Sequence, residues 1–246
     1  MTQTRGTLRT VRRSLIALLI GLAATAAAAQ GAEPLVVIDL PDEGPQHQFG
    51  DWLQSALSGE QVRARWSRVS DTTGQQEAPA CIVTWSDPQR GAGGTRRLRG
   101  HVRDGGGIVY VVGEGTRHVR RARTFLGPLD VNVTELDGGA SSAQWASHPL
   151  TDGSPDLGAV IAGSSISGVG GSPLIRSGGR QIATAFDWGP LGRAVILDQS
   201  VLFDQLHAAS PRPAVRDFLV RATLWAARAG ESAPDRPETA TRPEPA

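Results

Sequence analysis

The sequence has 246 residues with 25 basic and 24 acidic side chains, and every basic residue is an arginine. The absence of lysine excludes a Schiff-base lysine, a P-loop lysine and a Ser-Lys dyad, and with them the enzymes that depend on these groups. The single cysteine, Cys81, excludes an intramolecular disulfide.

The first 30 residues have the pattern of an export signal. Four arginines precede an apolar stretch at 14–29 that ends in three alanines suited to cleavage. The pair Arg12-Arg13 is compatible with the twin-arginine route, and the Sec route and an uncleaved N-terminal anchor stay open as alternatives. We expect a signal peptide at 1–30, a periplasmic or secreted protein, and no membrane span after cleavage. The mature chain then has 21 arginines against 24 acidic residues, a net charge of about −3, which argues against a nucleic-acid partner.

The pattern after the signal alternates between short apolar runs and amphipathic segments. Strands are predicted at 34–41, 61–69, 80–85, 107–113 and 129–136, and helices at 45–58, 95–104 and 116–126. The segment 138–180 is rich in Gly, Ser and Pro, with short apolar pieces only. Two strands at 181–188 and 192–199, joined by a Gly-Pro turn, and a helix at 212–228 follow it. We therefore predict one domain at 33–229 and a disordered tail at 230–246.

Buried runs separated by helices indicate a largely parallel sheet that is covered on both sides. The predicted fold class is α/β: a three-layer, mostly parallel, flavodoxin-like sheet with helices on both faces. In such a sheet, ligands bind outside the carboxyl ends of the strands.

Four stretches resemble segments of the class I glutamine amidotransferase-like superfamily, in particular its secreted members of unassigned function. They are "HVRDGGGIVYVVGEGT", "SHPLTDGSPDL", "GRAVILDQSVLFD" and "AVRDFLVRATLWAAR". The first is similar to the strand that runs into the nucleophile elbow of these proteins. Catalytic members carry Cys at that elbow and a His-x-Glu pair near the end of the domain. Here the elbow holds Glu114, Cys81 lies inside an apolar run, and no His-x-Glu occurs. The resemblance therefore implies the fold without glutamine hydrolysis, and we assign no catalytic residue.

Acidic residues follow four predicted strands, at Asp39, Asp87, Glu114 and Asp198. Either they form an acidic rim that holds a divalent cation or raises a carboxyl pKa, or Asp39 and Asp87 cap the turns and helices that follow. The predicted ligand-binding residues are Asp39, Gly113, Glu114, Gly115, Thr116 and Asp198. For Glu114 we favour a carboxylate held by the amides of Thr116 and Arg117 at a helix start.

Two other clusters have a functional and a simpler interpretation. Arg96, Arg99 and Arg103 share one helical face, and so do Arg117, Arg120 and Arg121. These faces either receive an acidic polymer or partner or are simply solvated. Asp204 and His207 have metal-ligand spacing without a third ligand, so we expect no metal and no cofactor.

The function that fits these observations is an exported, non-catalytic domain that acts as a binding or scaffolding module. The resemblance implies a protein partner in the cell envelope. One alternative is a hydrolase that uses the acidic strand ends, with or without a metal. Another is a carbohydrate-related module whose tryptophans stack on sugar rings; the candidates are Trp52, Trp66, Trp85, Trp145 and Trp188.

Overall fold

A nine-stranded mixed sheet lies at the centre of the molecule. The computed structural model describes residues 33–41, 45–60, 62–67, 77–87, 90–154, 157–202 and 213–228. The predicted signal peptide, the predicted tail, Asp204 and His207 lie outside these residues.

Eleven strands and four helices occur in the described residues. The strands are β1 (Leu35–Asp39), β2 (Arg63–Trp66), β3 (Cys81–Trp85), β4 (Gly107–Val112), β5 (Val131–Glu135), β6 (Ser141–Trp145), β7 (Ala159–Val160), β8 (Ser164–Gly168), β9 (Gly171–Ser177), β10 (Arg180–Asp187) and β11 (Arg193–Asp198). The helices are α1 (Pro45–Leu57), α2 (Ala92–Arg103), α3 (Thr116–Leu126) and α4 (Pro213–Ala226).

The strand order of the large sheet is β2-β1-β3-β4-β11-β10-β9-β6-β7. The first five strands are parallel to one another, and β10, β9, β6 and β7 continue the sheet with antiparallel pairings. The register pairs Asp39 with Thr84 and Asp198 with Val112. The carboxyl ends of β1, β3, β4 and β11 therefore meet at one edge of the sheet.

Both faces of the parallel strands β1, β3 and β4 are buried because helices cover each face. On β1, Val36 and Ile38 contribute to one apolar core with α1 and α4, whereas Leu35 and Val37 contribute to the other with α2 and α3. This alternation explains why the strands read as continuous apolar runs in the sequence. The three-layer α/β prediction is confirmed.

The region before β10 differs from the sequence-based expectation. β5 pairs with β8 in a separate two-stranded sheet, and β6 to β9 occupy a segment where only short apolar pieces were expected. These strands bury few side chains; in β6, for example, only Ala143 is buried. An antiparallel strand with one covered face needs few apolar residues, so Gly- and Ser-rich segments such as β8 can pair without an apolar run.

The hairpin predicted around the Gly-Pro turn is present, since β10 pairs antiparallel with β11. The C-terminal helix α4 buries Val215, Phe218 and Leu219 as its periodicity predicted. Across the described ranges, no helix combines the length and the apolar character needed to cross a membrane.

Candidate functional site

Four acidic strand ends meet at the carboxyl edge of the sheet, but their side chains have different surroundings. Asp39 is 1% exposed and forms a salt bridge with Arg90. Arg90 also donates to Thr84 Oγ1 at 2.7 Å, and Thr84 Oγ1 in turn donates to the backbone oxygen of Asp39 at 3.0 Å. Asp39 is thus part of a buried polar cluster between β1 and β3. It does not line the cleft described below, and its predicted ligand role stays a prediction.

The turn from β4 to α3 is held by a close approach of side chains to Gly113. The amide of Gly113 donates to Ser86 Oγ at 2.7 Å, and Ser86 Oγ is 3.1 Å from His118 Nδ1. A Cβ at position 113 would lie 2.4 Å from His118 Nδ1 and 2.7 Å from Trp85 Nε1. Position 113 therefore requires glycine for reasons of space.

The positive φ of this turn lies at Gly115, at +88°, and Glu114 is not among the described residues with positive φ. In a nucleophile elbow, the strained residue is the nucleophile itself. The turn therefore has the sequence position of an elbow without its backbone geometry.

Glu114 is exposed, and its carboxylate Oε2 accepts a hydrogen bond from Gln199 Nε2 at 3.1 Å. The N-cap of α3 is Gly115, and in the described structure the amides of Thr116 and Arg117 do not bond to the Glu114 carboxylate. The prediction that Glu114 caps α3 is therefore wrong. The side chain reaches across to the end of β11 because β11 is the neighbour of β4 in the sheet.

Thr116 lies beside a carboxylate that the sequence did not single out. Its Oγ1 donates to Glu135 Oε1 at 2.7 Å, which connects the start of α3 to the end of β5. Glu135 and Thr116 are both exposed. This contact places a second carboxylate near Glu114.

Asp198, at the end of β11, is 1% exposed. Its Oδ2 accepts from Ser164 Oγ at 2.6 Å, and its Oδ1 accepts from the amides of Ser200 at 3.0 Å and Gly163 at 3.4 Å. Burial raises the pKa of Asp198 above its ordinary 3.8, and the hydrogen bonds from Ser164, Ser200 and Gly163 oppose that rise. The carboxyl group holds the end of β11 to the start of β8.

A cleft of about 610 Å³ opens between these elements. Its described lining comprises Glu114, Gly115, Glu135, Leu136, Gly138, Leu157, Ala159, Val160, Ile161, Ala162, Gly163, Asp198, Gln199, Ser200, Val201 and Val215. One side is polar, with Glu114, Glu135 and Gln199 near its rim, and the other is aliphatic. Of the predicted ligand-binding residues, the structure brings Glu114, Gly115 and Asp198 together in this cleft. Gly113, Thr116 and Asp39 do not belong to the lining.

The ligand-binding residues predicted from the sequence did not include Glu135, Gln199 or the aliphatic wall at 157–163. Gln199 directly follows Asp198, so the rule that ligands bind at strand ends could have included it. No comparable signal marks Glu135, because β5 belongs to the small sheet, in which Glu135 pairs with Ser164, and Ser164 in turn contacts Asp198.

The single thiol lies far from this edge. Cys81 is the first residue of β3, whereas the edge lies at the other end of that strand, and its side chain is fully buried. Burial raises the pKa of the Cys81 thiol, so the reactive thiolate is disfavoured.

Tryptophans proposed to stack on sugars pack against the protein itself. Trp52 contacts Phe49, Trp145 contacts Phe218, and Trp188 stacks on Phe186. Trp66 lies against His47 and donates to Asp51 Oδ1 at 3.0 Å, and Trp85 is buried. The lining of the cleft, as far as the structure describes it, contains no aromatic side chain.

No three His, Cys, Asp or Glu side chains within the described ranges come together in a way that could hold a metal ion. The sequence matches no protein-family model, and no curated protein matches it.

Solved structures with the same fold include several proteins of low sequence identity. A ThuA-like protein from Bacteroides uniformis has a TM-score of 0.51 at 11% identity, covering 80% of this chain and 92% of its own. A GMP synthase-like protein from Thermoplasma acidophilum has a TM-score of 0.51 at 11% identity, covering 80% of this chain and 95% of its own. The mmIFT52 N-terminal domain has a TM-score of 0.57 at 12% identity, covering 80% of this chain and 99% of its own. The chain therefore has an amidotransferase-like fold, in which Glu114 lies at the turn after β4.

Proposed function

We propose that this protein is an exported, non-catalytic, amidotransferase-like domain that binds a small ligand in the cleft beside Glu114. The observation that carries the proposal is the contact between Glu114 and Gln199. An ionised carboxylate needs no base, but hydrolysis through it needs a second carboxyl group that donates a proton to the leaving group. The side chain that contacts the Glu114 carboxylate is the amide of Gln199, which donates a hydrogen bond and cannot serve as that acid.

The size and chemistry of the cleft support binding. Small-molecule sites usually have volumes of roughly 300–1,000 Å³, with an apolar lining and a few convergent polar groups. The cleft of about 610 Å³ falls in that range and combines an aliphatic wall with a carboxylate-rich rim. Ile161, in that wall, is 65% exposed, which leaves its surface available for a ligand.

The polar groups of the cleft select the class of ligand. Glu114 and Glu135 are acceptors with negative charge, and none of the lining residues that the structure describes is basic. A donor-rich molecule such as a polyol, a sugar or an amine would complement this rim, and an anionic ligand would be repelled. An apolar face on the same ligand would cover the wall at Val160 and Ile161.

A hydrolase is the second candidate, and it is supported by one observation. Glu114 and Asp198 line the same cleft, and burial raises the pKa of Asp198 in the direction that a general acid requires. However, Asp198 is 1% exposed and both of its oxygens already accept hydrogen bonds from protein groups. A proton donor must reach the substrate, so these contacts favour a structural role for Asp198.

The proposed export and envelope location rest on the arginines and apolar stretch of the first 30 residues. A role as a scaffold with an envelope partner rests on the family resemblance. Both are consistent with a domain that binds and does not catalyse.

Ligand-observed saturation-transfer NMR tests the binding proposal. The probes are glucose, glucosamine, glycerol and putrescine, each added to the full-length or signal-free protein. We expect at least one probe to receive saturation from the wild-type protein and to lose it with Glu114→Gln. Glu60→Gln, an exposed carboxylate just after α1, is the matched control and should bind as the wild type does. Equal signals from all three proteins, or none from any, would contradict the proposal.

A further inference from the structure

A second surface, unrelated to the cleft, lies between the helices α2 and α3. Each helix contains four arginines, and neither contains an aspartate or a glutamate. Both helices pack on the same face of the sheet, through Leu98 and Val102 in α2 and through Val119 and Ala122 in α3. The two helices therefore place an unusual amount of positive charge side by side.

A groove runs between these helices, with a volume of about 450 Å³ in its main part. Arg96, Arg99 and Arg103 form one wall, and Arg121 and Thr124 form the other. An adjoining depression of about 410 Å³ continues along α3, past Arg117 and Arg120. We call this the arginine groove.

Five arginines of the arginine groove have no acidic partner among the described residues. In the part of the chain that the structure describes, Arg96, Arg99, Arg103, Arg117 and Arg120 take part in no salt bridge. Arg123 of α3 does not line the groove, and its Nε donates to Val133 O at 2.6 Å.

One nitrogen of the groove is both shielded and unsatisfied. Arg99 Nε is inaccessible to solvent and has no acceptor among the described residues. A shielded donor without an acceptor is unfavourable, and no acceptor among the described residues competes with a bound anion for the Arg99 guanidinium.

The shape and composition of the groove indicate which anion it accepts. Large exposed apolar side chains in the described structure are Ile161, Val169 and Leu191, and none belongs to α2 or α3. A membrane-binding helix face needs apolar residues to insert beside its basic ones. Binding of single-stranded nucleic acid relies on exposed aromatic rings for stacking, and the only aromatic ring of Phe, Tyr or Trp type in α2 or α3, that of Phe125, is buried.

The spacing of the arginines suits an extended acidic peptide. Arg96 and Arg103 are seven residues apart on a helix, or about 10 Å along its axis. An extended chain covers that distance in about three residues, and alternate side chains on one face are about 6.6 Å apart. Carboxylates at alternate positions can therefore meet successive guanidinium groups of one wall.

We infer that the arginine groove is a docking site for an extended acidic segment of a partner protein. Guanidinium groups bind carboxylates in a bidentate manner, which gives the groove both affinity and direction. The site is independent of the cleft, so a failure of either proposal leaves the other standing.

Fluorescence anisotropy with a labelled hexaglutamate peptide tests this inference on the full-length protein. The groove variant is Arg96→Gln/Arg99→Gln/Arg103→Gln. The matched control is Arg176→Gln/Arg180→Gln/Arg216→Gln, which removes the same charge from exposed positions on β9, β10 and α4. Circular dichroism and the thermal midpoint confirm that each variant is folded.

We expect the groove variant to weaken hexaglutamate binding by about tenfold or more, and the control to weaken it by no more than about twofold. Added salt should weaken wild-type binding because the contacts are ionic. No binding of hexaglutamate, or an equal loss in both variants, would overturn the inference. So would stronger binding to phosphatidylglycerol vesicles or to an oligothymidylate than to the peptide.

Discussion

Substitutions of Asp198 can distinguish a carboxylate that stabilises the fold from one that takes part in catalysis. Its oxygens accept hydrogen bonds from Ser164 Oγ, the Ser200 amide and the Gly163 amide. In Asp198→Asn, the amide oxygen can keep both backbone bonds while the new NH₂ group donates to Ser164 Oγ. In Asp198→Ala, the Ser164 hydroxyl and the Ser200 amide lose their acceptor.

The magnitudes follow from these contacts. Each buried donor left without an acceptor costs about 1–3 kcal/mol. The Gly163 bond, at 3.4 Å, adds little. With two donors left without an acceptor, Asp198→Ala should lower the free energy of unfolding by about 2–6 kcal/mol. Asp198→Asn removes a charge that is costly to bury, and we expect the free energy of unfolding to change by less than about 1 kcal/mol.

The pH dependence has a definite sign. Because burial raises the pKa of Asp198 in the folded protein, the folded state binds this proton more tightly than the unfolded chain does. Its contribution to stability is therefore largest below the ordinary pKa of 3.8 and decreases as the pH rises through the folded-state pKa. The difference in the free energy of unfolding between wild type and Asp198→Asn isolates the contribution of Asp198 from those of the other acidic residues. As the pH rises, the asparagine variant should become more stable relative to the wild type.

Urea unfolding of the three proteins, from acid to neutral pH, measures both effects. If Asp198→Asn is as unstable as Asp198→Ala at neutral pH, Asp198 does not act through these hydrogen bonds. If the stability of Asp198→Asn relative to wild type decreases as the pH rises, the pKa of Asp198 is not raised by burial.

The remaining predictions concern single sites. Cys81 should react with a thiol reagent only on unfolding, and rapid labelling of the native protein would contradict its burial. Arg90→Met should lower the free energy of unfolding, measured in urea, by about 3–5 kcal/mol because it leaves the buried carboxylate of Asp39 unpaired. Arg63→Met, which breaks an exposed pair, should lower it by less than about 1 kcal/mol in the same titration. Gly115→Ala should cost about 1–3 kcal/mol because of its positive φ, and an unchanged urea midpoint would argue against this turn geometry. Mass spectrometry of the protein from its native host should find an N-terminus between Gln30 and Glu33, and an intact Met1 would contradict export.

The parallel half of the fold could be predicted because its signals are local. In β3 and β4 every residue is buried, so each strand reads as an unbroken apolar run. In the antiparallel half, β10 was predicted from its apolar residues, whereas β6 to β9 carry no such signal. Ser164 lies in a Gly- and Ser-rich segment, and its importance arises from a contact with Asp198, 34 residues away.

The candidate site shows the same division. The strand-end rule correctly placed Glu114 and Asp198 at one edge, because it depends only on strand direction. The rule could not predict that Asp39 forms a salt bridge with Arg90, 51 residues away. Nor could it predict that Glu114 accepts a hydrogen bond from Gln199 and makes none with the amides at the start of α3. These outcomes depend on which strands become neighbours, and that order is set by tertiary packing.

We propose that the cleft beside Glu114 binds a ligand without catalysing a reaction of it. Time-resolved NMR of the wild-type protein with the binding probes, together with maltose, cellobiose and glutamine, measures binding and turnover in one sample. We predict that saturation of a bound probe persists while every probe spectrum stays unchanged. New product resonances that disappear with Glu114→Gln and persist with Glu60→Gln would contradict the claim and identify the cleft as an active site.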